Sequence, residues 1–354
     1  MPGFDGKNQS RACRPSAVKG ARAATRVAAA CVIALCLIFA GGCPSKGPND
    51  GNQPPATSSS PPTTNNQQPA TKTGQPTPND QQPTVIQYRY KLVRTYPHDP
   101  RAFTQGLEYE DGVLYEGTGL YGQSALVKRT LETGEVLKIE RLPRRYFGEG
   151  ITVFGDRVIQ LTWKSQTGFV YDKSTFRLLK EFTYHGEGWG LTHDGRQLIM
   201  SDGTATLRFL DPNTFAETCR ITVRDEGRPL YDLNELEFIP DETKPSSQLT
   251  VPSPQFPANS QPTTDNHQPA GGSHGSIFAN IWQSDSIVII DPDTGRVTGR
   301  LDLSTLYPRS YGSGAVLNGI AFLPQSRHLL LTGKLWPKLY EIELLPGLPR
   351  RSGE

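Results

Sequence analysis

The chain has 354 residues and a formal net charge of +2 at pH 7, with 37 Lys and Arg against 35 Asp and Glu. A charge this close to neutral, without a basic stripe interleaved with aromatic residues, gives no indication of nucleic-acid binding. The 6 histidines show no close spacing with Cys or with paired carboxylates, so the sequence contains no recognisable set of zinc ligands.

Residues 1–43 are predicted to be an export signal of the lipoprotein type. Basic residues precede an apolar run from Val27 to Ala40, which is too short to span a membrane comfortably. The run ends in Phe39-Ala40-Gly41-Gly42-Cys43, which resembles a bacterial lipobox, so Cys43 is the residue expected to carry the lipid. A plain secretory signal and a retained membrane anchor are the alternatives. We therefore expect an exported protein, lipid-anchored to the bacterial cell envelope on its periplasmic or extracellular face.

Two segments are too polar to form a packed core. Residues 44–84 consist mainly of Pro, Gln, Asn, Thr, Ser and Gly, and residues 240–275 have the same character. Such segments bury too little apolar surface to offset the entropy that is lost on ordering. We expect the first to be a disordered tether and the second to be a disordered insertion in one hairpin loop. Residues 347–354 are expected to be a tail.

Between these segments one pattern recurs: an apolar strand runs into a short segment that contains Gly or Trp. The occurrences are residues 112–117, 157–163, 197–203, 276–282 and 328–334. Repeats of about 40 residues built from short strands are typical of β-propeller blades. The sequence therefore predicts an all-β fold, a five-bladed β-propeller over residues 85–346. Because a free strand edge invites aggregation, we expect the early strand Tyr88–Thr95 to become the outermost strand of the last blade.

Cysteines are nearly absent from this predicted domain. Of the 5 cysteines in the chain, only Cys219 lies within it. We therefore expect Cys219 to be a buried strand residue, and we expect no internal disulfide in the exported protein.

A set of short segments in the predicted blades indicates a function. They are residues 103–107, 118–124, 147–152, 161–164, 188–191, 233–238, 279–283 and 333–337. Their residue types and order resemble the glutamine cyclotransferases, the glutaminyl-peptide cyclases of the plant and bacterial type, from about Tyr90 to Leu344. The resemblance implies a five-bladed propeller. It also implies an acyltransferase that converts N-terminal glutaminyl residues of peptides and proteins to pyroglutamate with release of ammonia.

That reaction needs a group that takes a proton from the α-amine and passes it to the departing nitrogen. Glu149, which stands between Gly148 and Gly150, is our candidate, and it matches the catalytic Glu of the family. Glycines let backbone segments approach closely, and Phe147 nearby would desolvate the carboxyl group and raise its pKa. The alternative is a turn glutamate that faces solvent.

Three tryptophans are candidates for the wall of a substrate pocket. Trp163, Trp189 and Trp282 fall at equivalent places in three repeats and would converge on one mouth of the propeller channel. An aromatic wall there would lower the pKa of the substrate amine and exclude water. Packing between blades is the alternative for these residues, and we expect the fourth tryptophan, Trp336, to lie in the core.

The resemblance adds further substrate-binding positions. They are Phe103, Gln105, Phe147, Asn234 and Lys334. Gln105 and Asn234 can hydrogen-bond the substrate, while Lys334 can stabilise an oxyanion or orient Glu149. A lysine near Glu149 would lower the pKa that burial raises, and the sequence does not show which influence is larger.

Other residues and other functions compete with this interpretation. The rival carboxylates are Glu116, Asp202, Glu235 and Glu237. Glu235 and Glu237 would share one face of a strand, where they could order loops or bind a cation. The resemblance implies no cofactor for catalysis and allows a structural cation in the channel, held through backbone oxygens.

Two alternative functions stay open. One is a non-catalytic propeller, tethered to the envelope, that binds a peptide or protein partner; the other is a metal-dependent propeller hydrolase. For the cyclase we expect a monomer whose partners are peptides or proteins with N-terminal Gln.

Overall fold

The computed structural model describes residues 84–241, 274–307 and 314–349, and their regular structure consists of strands. In chain order these are β1 (Ile86–Pro97), β2 (Thr104–Glu110), β3 (Val113–Thr118), β4 (Ala125–Thr130), β5 (Val136–Arg141), β6 (Gly148–Phe154), β7 (Arg157–Thr162), β8 (Thr167–Asp172), β9 (Leu178–Thr183), β10 (Leu191–His193), β11 (Leu198–Met200), β12 (Thr206–Leu210), β13 (Glu217–Thr222), β14 (Arg224–Asp225), β15 (Arg228–Pro229), β16 (Leu233–Pro240), β17 (Gly275–Ile281), β18 (Ser286–Ile290), β19 (Val297–Asp302), β20 (Leu317–Leu323), β21 (His328–Gly333) and β22 (Lys338–Pro349). The predicted all-β class is confirmed. No helix in these ranges is long and apolar enough to cross a membrane.

Apart from the short pair β14 and β15, the described strands form five groups of four. The first four groups are β2–β5, β6–β9, β10–β13 and β16–β19, and the fifth combines β20, β21 and β22 with β1. The first strands of the groups contact one another in a cycle, in the order β2, β6, β10, β16 and β20 and back to β2. Each group is therefore a blade, and the first strands face a common axis.

The N-terminal strand pairs with the last strand of the described chain. β1 runs antiparallel to β22 from the Ile86–Pro349 pair to the Pro97–Lys338 pair. Its first residues also pair in parallel with β19, which joins the fourth and fifth groups into one eight-stranded sheet. The outer edge of β22 is thereby covered, as the sequence predicted.

Apolar side chains fill the spaces between neighbouring blades. Tyr115 and Leu126 of the first blade pack with Ile151 and Phe169 of the second, and four further clusters of this kind are described. All seven residues of β6 and of β20 are buried. In β20 alternate side chains pack against the two neighbouring blades, since Ile320 and Phe322 join the cluster with the fourth blade, and Ala321 and Leu323 join the cluster with the first. Trp336 is fully buried in the cluster between the fourth and fifth blades, which confirms it as a core residue.

Several predicted segments fall outside the described residues. They are the signal with Cys43, the tether up to residue 83, the insertion from 242 to 273 and the tail from 350. The strands that flank the insertion do pair, since β16 and β17 run antiparallel up to the Pro240–Gly275 pair, and Asp241 N donates to His274 O at 3.1 Å.

Replacing residues 242–273 by Asn-Gly is expected to leave the unfolding temperature and the activity near their wild-type values. The paired ends of β16 and β17 are positioned for a two-residue hairpin turn, which Asn-Gly favours. Thermal unfolding and the activity of the shortened chain would measure both effects. A large loss of either would mean that the insertion packs on the blades.

Cys219 differs from the expectation drawn for it. It lies half-buried on β13 and is disulfide-bonded. The expectation treated the cysteines of residues 1–43 as removed or lipidated, and therefore left Cys219 without a partner. That expectation concerned the exported protein without its signal, and for that form it stays a prediction.

Candidate active site

Glu149 lies on β6 at a point where backbone segments from three blades meet. Gly150 N donates to Trp189 O at 2.7 Å, and a Cβ on Gly150 would lie 2.6 Å from that oxygen. A Cβ on Gly148 would lie 2.7 Å from Thr118 O. Side chains at either position would clash with backbone atoms, which cannot move aside easily. The glycines on both sides of Glu149 are thus required by close packing, and they leave little freedom to the residue between them.

The carboxyl group of Glu149 is buried, with only 5% of the residue exposed. Burial raises its pKa well above the usual value, Lys334 lowers it and Glu187 raises it further. The influence of burial therefore exceeds that of Lys334. Glu149 is therefore not the solvent-facing turn glutamate of the alternative interpretation.

Lys334 follows β21 and is also 5% exposed. Burial lowers the pKa of its ammonium group, while Glu149 raises it. Lys334 Nζ lies 4.9 Å from the ring centre of Phe103. A buried acid whose pKa is raised and a buried base whose pKa is lowered thus act on each other's ionisation. Ionisable groups that burial and a charged partner shift in this way are typical of functional sites.

Aromatic rings form a continuous row beside these two groups. The ring centre of Phe147 lies 6.2 Å from that of Phe103, 5.6 Å from that of Trp163 and 5.4 Å from that of Tyr121. All of these contacts have edge-to-face geometry, which aromatic rings favour. A second pair, Trp189 and Trp282, is packed in the same way at 5.8 Å. The predicted aromatic residues are therefore brought together in these two groups.

Glu187 connects the two groups of rings, and the sequence analysis did not identify it. Its Oε2 accepts hydrogen bonds from Trp163 Nε1 at 2.7 Å and from Trp189 Nε1 at 3.0 Å. The signal that could have found it is the triplet Gly186-Glu187-Gly188, which repeats the Gly-Glu-Gly pattern around Glu149.

Polar side chains complete the surroundings. Gln105 is buried, and Asn318 Nδ2 donates to Gln105 Oε1 at 3.3 Å and to Thr104 O at 3.0 Å. Asn318 was also missed by the sequence analysis, because it belongs to no recognised segment. Asn234 is buried on β16 with its backbone against Gly190. The Oδ1 atoms of Asn234 and Asn318 have no hydrogen-bond partner among the described residues, so both are available to accept one.

Glu116 is a structural anion and not a rival catalyst. Its carboxylate accepts bonds from His98 at 3.0 Å, from Thr104 at 2.7 Å and from Arg129 at 2.7 Å. Burial opposes its ionisation, but these partners outweigh burial and lower its pKa to about 2. His98 Nδ1 lies 2.6 Å from Trp336 O. The network therefore ties the backbone beside Gln105 to the turn that carries Lys334.

Asp202 and the pair on β16 also have structural partners. Asp202 Oδ1 accepts bonds from Thr204 in a turn. Glu235 accepts Leu107 N at 3.2 Å on one oxygen and Ile320 N at 2.9 Å on the other, and Glu237 accepts Phe322 N at 2.8 Å. These carboxyls link the first strands of different blades across the axis.

Glu237→Gln is expected to stabilise the protein at pH 8 and to leave its stability at pH 4 nearly unchanged. Burial, together with Glu108 and Glu235, raises the pKa of Glu237 well above its usual value. A raised carboxyl pKa gives stability that is present below about pH 4.5 and is lost as the pH rises through the folded-state value. The amide keeps an acceptor for Phe322 N and never ionises, so the unfolding midpoint should rise at pH 8.

The measurement is the thermal unfolding midpoint of both proteins at the two pH values. Glu343→Gln, at an exposed residue paired with Lys91, is the control and should change the midpoint little. A lower midpoint for Glu237→Gln at pH 8 would contradict the argument, because it would mean that the ionised carboxylate is stabilised.

The described residues contain no group of three or more His, Cys, Asp or Glu arranged to hold a metal ion. Both oxygens of Glu235 are already bonded to backbone N–H groups. The side chains near the axis therefore do not fit a metal site, and a cation there would have to rely on backbone oxygens.

Comparison with known proteins identifies the family. The model of the glutamine cyclotransferase family matches residues 65–244 and 271–344. A curated glutaminyl-peptide cyclotransferase from Arabidopsis thaliana is 41% identical over 260 residues, which cover 72% of this chain and 71% of the relative. The crystal structure of Myxococcus xanthus glutaminyl cyclase aligns with a TM-score of 0.60 and 34% identity, over 75% of this chain and 99% of that one. On this evidence the chain belongs to the glutamine cyclotransferase family and is an acyltransferase enzyme.

Proposed function

We propose that this protein cyclises N-terminal glutaminyl residues of peptides and proteins to pyroglutamate, with Glu149 as the proton shuttle. The observation that carries the proposal is the burial of Glu149 between two obligatory glycines, where the charge of Lys334 acts on its carboxyl group. The family's glutaminyl cyclase function supports the reaction type.

The reaction joins two groups of one residue. The substrate's α-amine nitrogen forms a bond to the γ-carboxamide carbon, the bond from that carbon to the amide nitrogen breaks, and ammonia leaves. Glu149 as carboxylate accepts a proton from the amine, and as carboxylic acid it returns the proton to the departing nitrogen. No net proton is consumed, so one side chain with a raised pKa is sufficient. Holding the amine near the carbonyl carbon supplies much of the remaining acceleration.

The surrounding residues have complementary roles in this proposal. Lys334 stabilises the oxyanion that develops on the carboxamide oxygen. Gln105 and Asn234 hydrogen-bond the substrate, for which the unpaired Oδ1 of Asn234 is suited. The rings of Phe103, Phe147, Trp163, Trp189 and Trp282 exclude water from the reacting groups.

Catalysis in this proposal uses no metal or other cofactor, since proton transfer is assigned to Glu149. A structural cation near the axis, held through backbone oxygens, is a separate proposal that is supported only by the family resemblance. A rise in unfolding temperature with added calcium ions, absent with a chelator, would support the cation.

The protein is further proposed to be an exported monomer, lipid-anchored at Cys43 to the cell envelope. Its partners would be peptides or proteins that begin with Gln. The support for export is the sequence pattern of residues 1–43. Metabolic labelling with a fatty acid, compared with a Cys43→Ala variant, would test the anchor.

The function itself is tested with a short peptide that begins with Gln, in chelator-treated buffer, followed by mass spectrometry. Loss of the mass of one ammonia, much faster than in the absence of protein, is expected. A folded protein that gives no acceleration would contradict the cyclase proposal. It would favour the non-catalytic propeller, whose pocket binds a peptide without reacting with it.

A further inference from the structure

We propose that Glu187 is a positioning residue of this site. One oxygen atom of its carboxylate accepts hydrogen bonds from both indole rings, of Trp163 and Trp189, and thereby fixes their orientation. This inference rests on the proposed function and extends it to Glu187.

The first support is the hydrogen-bond geometry. A carboxylate oxygen has two lone pairs, and Oε2 of Glu187 uses them on the Nε1–H groups of Trp163 and Trp189, at 2.7 and 3.0 Å. An indole ring has one N–H donor, so each ring directs its only strong hydrogen bond to this atom. Moving Glu187 would therefore release both rings together.

The second support is that the backbone around Glu187 is held by two blades. Gly188 N donates to Trp163 O at 3.0 Å, and Trp189 N donates to Ser201 O at 3.0 Å. A Cβ on Gly188 would lie 2.5 Å from the Tyr184 hydroxyl oxygen, so this position also requires glycine. The backbone that carries Glu187 is consequently held in place by contacts that do not depend on the hydrogen bonds of its side chain.

The third support is the position of the rings themselves. Trp163 packs on Phe147, the central ring of one group in the aromatic wall, and Trp189 packs on Trp282 in the other group. A Cβ on Gly203 would lie 2.7 Å from the Trp189 ring, which shows that this ring rests directly on backbone. Glu187 is the link through which the two groups keep one geometry.

The charge of Glu187 also acts on the proposed proton shuttle. The charged groups that act on Glu149 are Glu187, which raises its pKa, and Lys334, which lowers it. The Tyr184 hydroxyl is the other titratable group coupled to Glu149. Lys164 lies 3.6 Å from Glu187 Oε1 at the exposed side and 4.0 Å from the Trp163 ring centre. Neutralising Glu187 should therefore lower the pKa of Glu149.

The test compares Glu187→Gln and Glu187→Ala with the wild type. For Glu187→Ala, kcat/KM for a Gln-peptide is expected to fall about tenfold to a hundredfold, mainly through KM, because both charge-assisted bonds are lost. Glu187→Gln keeps an oxygen acceptor and should recover part of the KM. In both variants the acidic limb of the pH–rate profile should move to lower pH, since activity requires ionised Glu149.

Tryptophan fluorescence supplies a readout that does not depend on turnover. Release of two indole rings should shift the emission of Glu187→Ala to longer wavelength, and Glu187→Gln should lie between it and the wild type. Glu132→Ala removes an exposed carboxylate that pairs with Arg94, and as the control it should alter neither emission nor kinetics. If Glu187→Ala does not fold, the isosteric Glu187→Gln decides through its pH profile and emission.

An unchanged KM, pH profile and emission in both variants would overturn the proposal. Failure of the proposed function looks different, because the wild type would then not cyclise the peptide at all. In that case the emission comparison still decides whether Glu187 orders the two rings.

Discussion

Glu149→Gln is expected to lose cyclisation activity by about a thousandfold while keeping the fold, within the range that general acid–base groups contribute. Gln has the same shape as Glu, so the close contacts of Gly148 and Gly150 are unaffected, but the amide can neither accept nor return the proton. The measurement is the initial rate of ammonia release from a Gln-peptide, with thermal unfolding to show that the variant is folded.

The same substitution has a predicted effect on stability. The pKa of Glu149 is raised in the folded state, so its contribution to stability is present below about pH 4.5 and is lost as the pH rises through the raised value. At pH 8 the variant should therefore be at least as stable as the wild type. An active Glu149→Gln variant would contradict the proton-shuttle role. A less stable variant at pH 8 would show that ionised Glu149 is stabilised by Lys334 more than burial opposes it.

Lys334→Met is expected to reduce kcat by about a hundredfold to a thousandfold, the range for loss of one donor to an oxyanion. Met fills a similar volume and keeps the contact with Phe103, so the loss should come mainly from the missing positive charge. Removing that charge also removes the influence that lowers the pKa of Glu149. The acidic limb of the pH–rate profile should therefore move to higher pH.

The direction of this shift separates Lys334 from Glu187, whose neutralisation should move the same limb to lower pH. Lys338→Met, at an exposed lysine only four residues along the chain, is the matched control and should keep the wild-type rate and profile. A Lys334→Met variant with unchanged kcat would show that the lysine has no catalytic effect. The unpaired Oδ1 of Asn318 cannot take over the role of Lys334, because a hydrogen-bond acceptor does not stabilise an oxyanion.

The positions of two of the tryptophans were predictable because they depend on repetition. Trp163 and Trp282 follow β7 and β17, which are the second strands of their blades. Trp189 instead precedes β10, the first strand of the third blade, so the expectation of three equivalent places was wrong for it. The pairing of β1 with β22 was predictable for a related reason, since an extra strand before the first blade has one free edge to cover.

Other features depended on contacts between residues far apart in the chain. Glu116 and Glu149 are both buried glutamates. Glu116 is hydrogen-bonded by His98 and Arg129, whereas for Glu149 the effect of burial is opposed mainly by the charge of Lys334. Their pKa values consequently move in opposite directions. Composition around each residue does not reveal this difference, because most of the deciding partners come from other strands.

The sequence by itself determined the all-β class, the repeating strand groups and the family, and it selected Glu149 and the aromatic set as candidates. These conclusions depend on local pattern, namely strand periodicity, glycine placement and the order of short segments. Only the tertiary structure decided that burial outweighs Lys334 at Glu149, that Glu187 bonds two tryptophans, and that Asn318 holds Gln105. The physical reason is that electrostatic influence and hydrogen bonding depend on distances between side chains from different blades, and those distances exist only when the ring of blades is assembled.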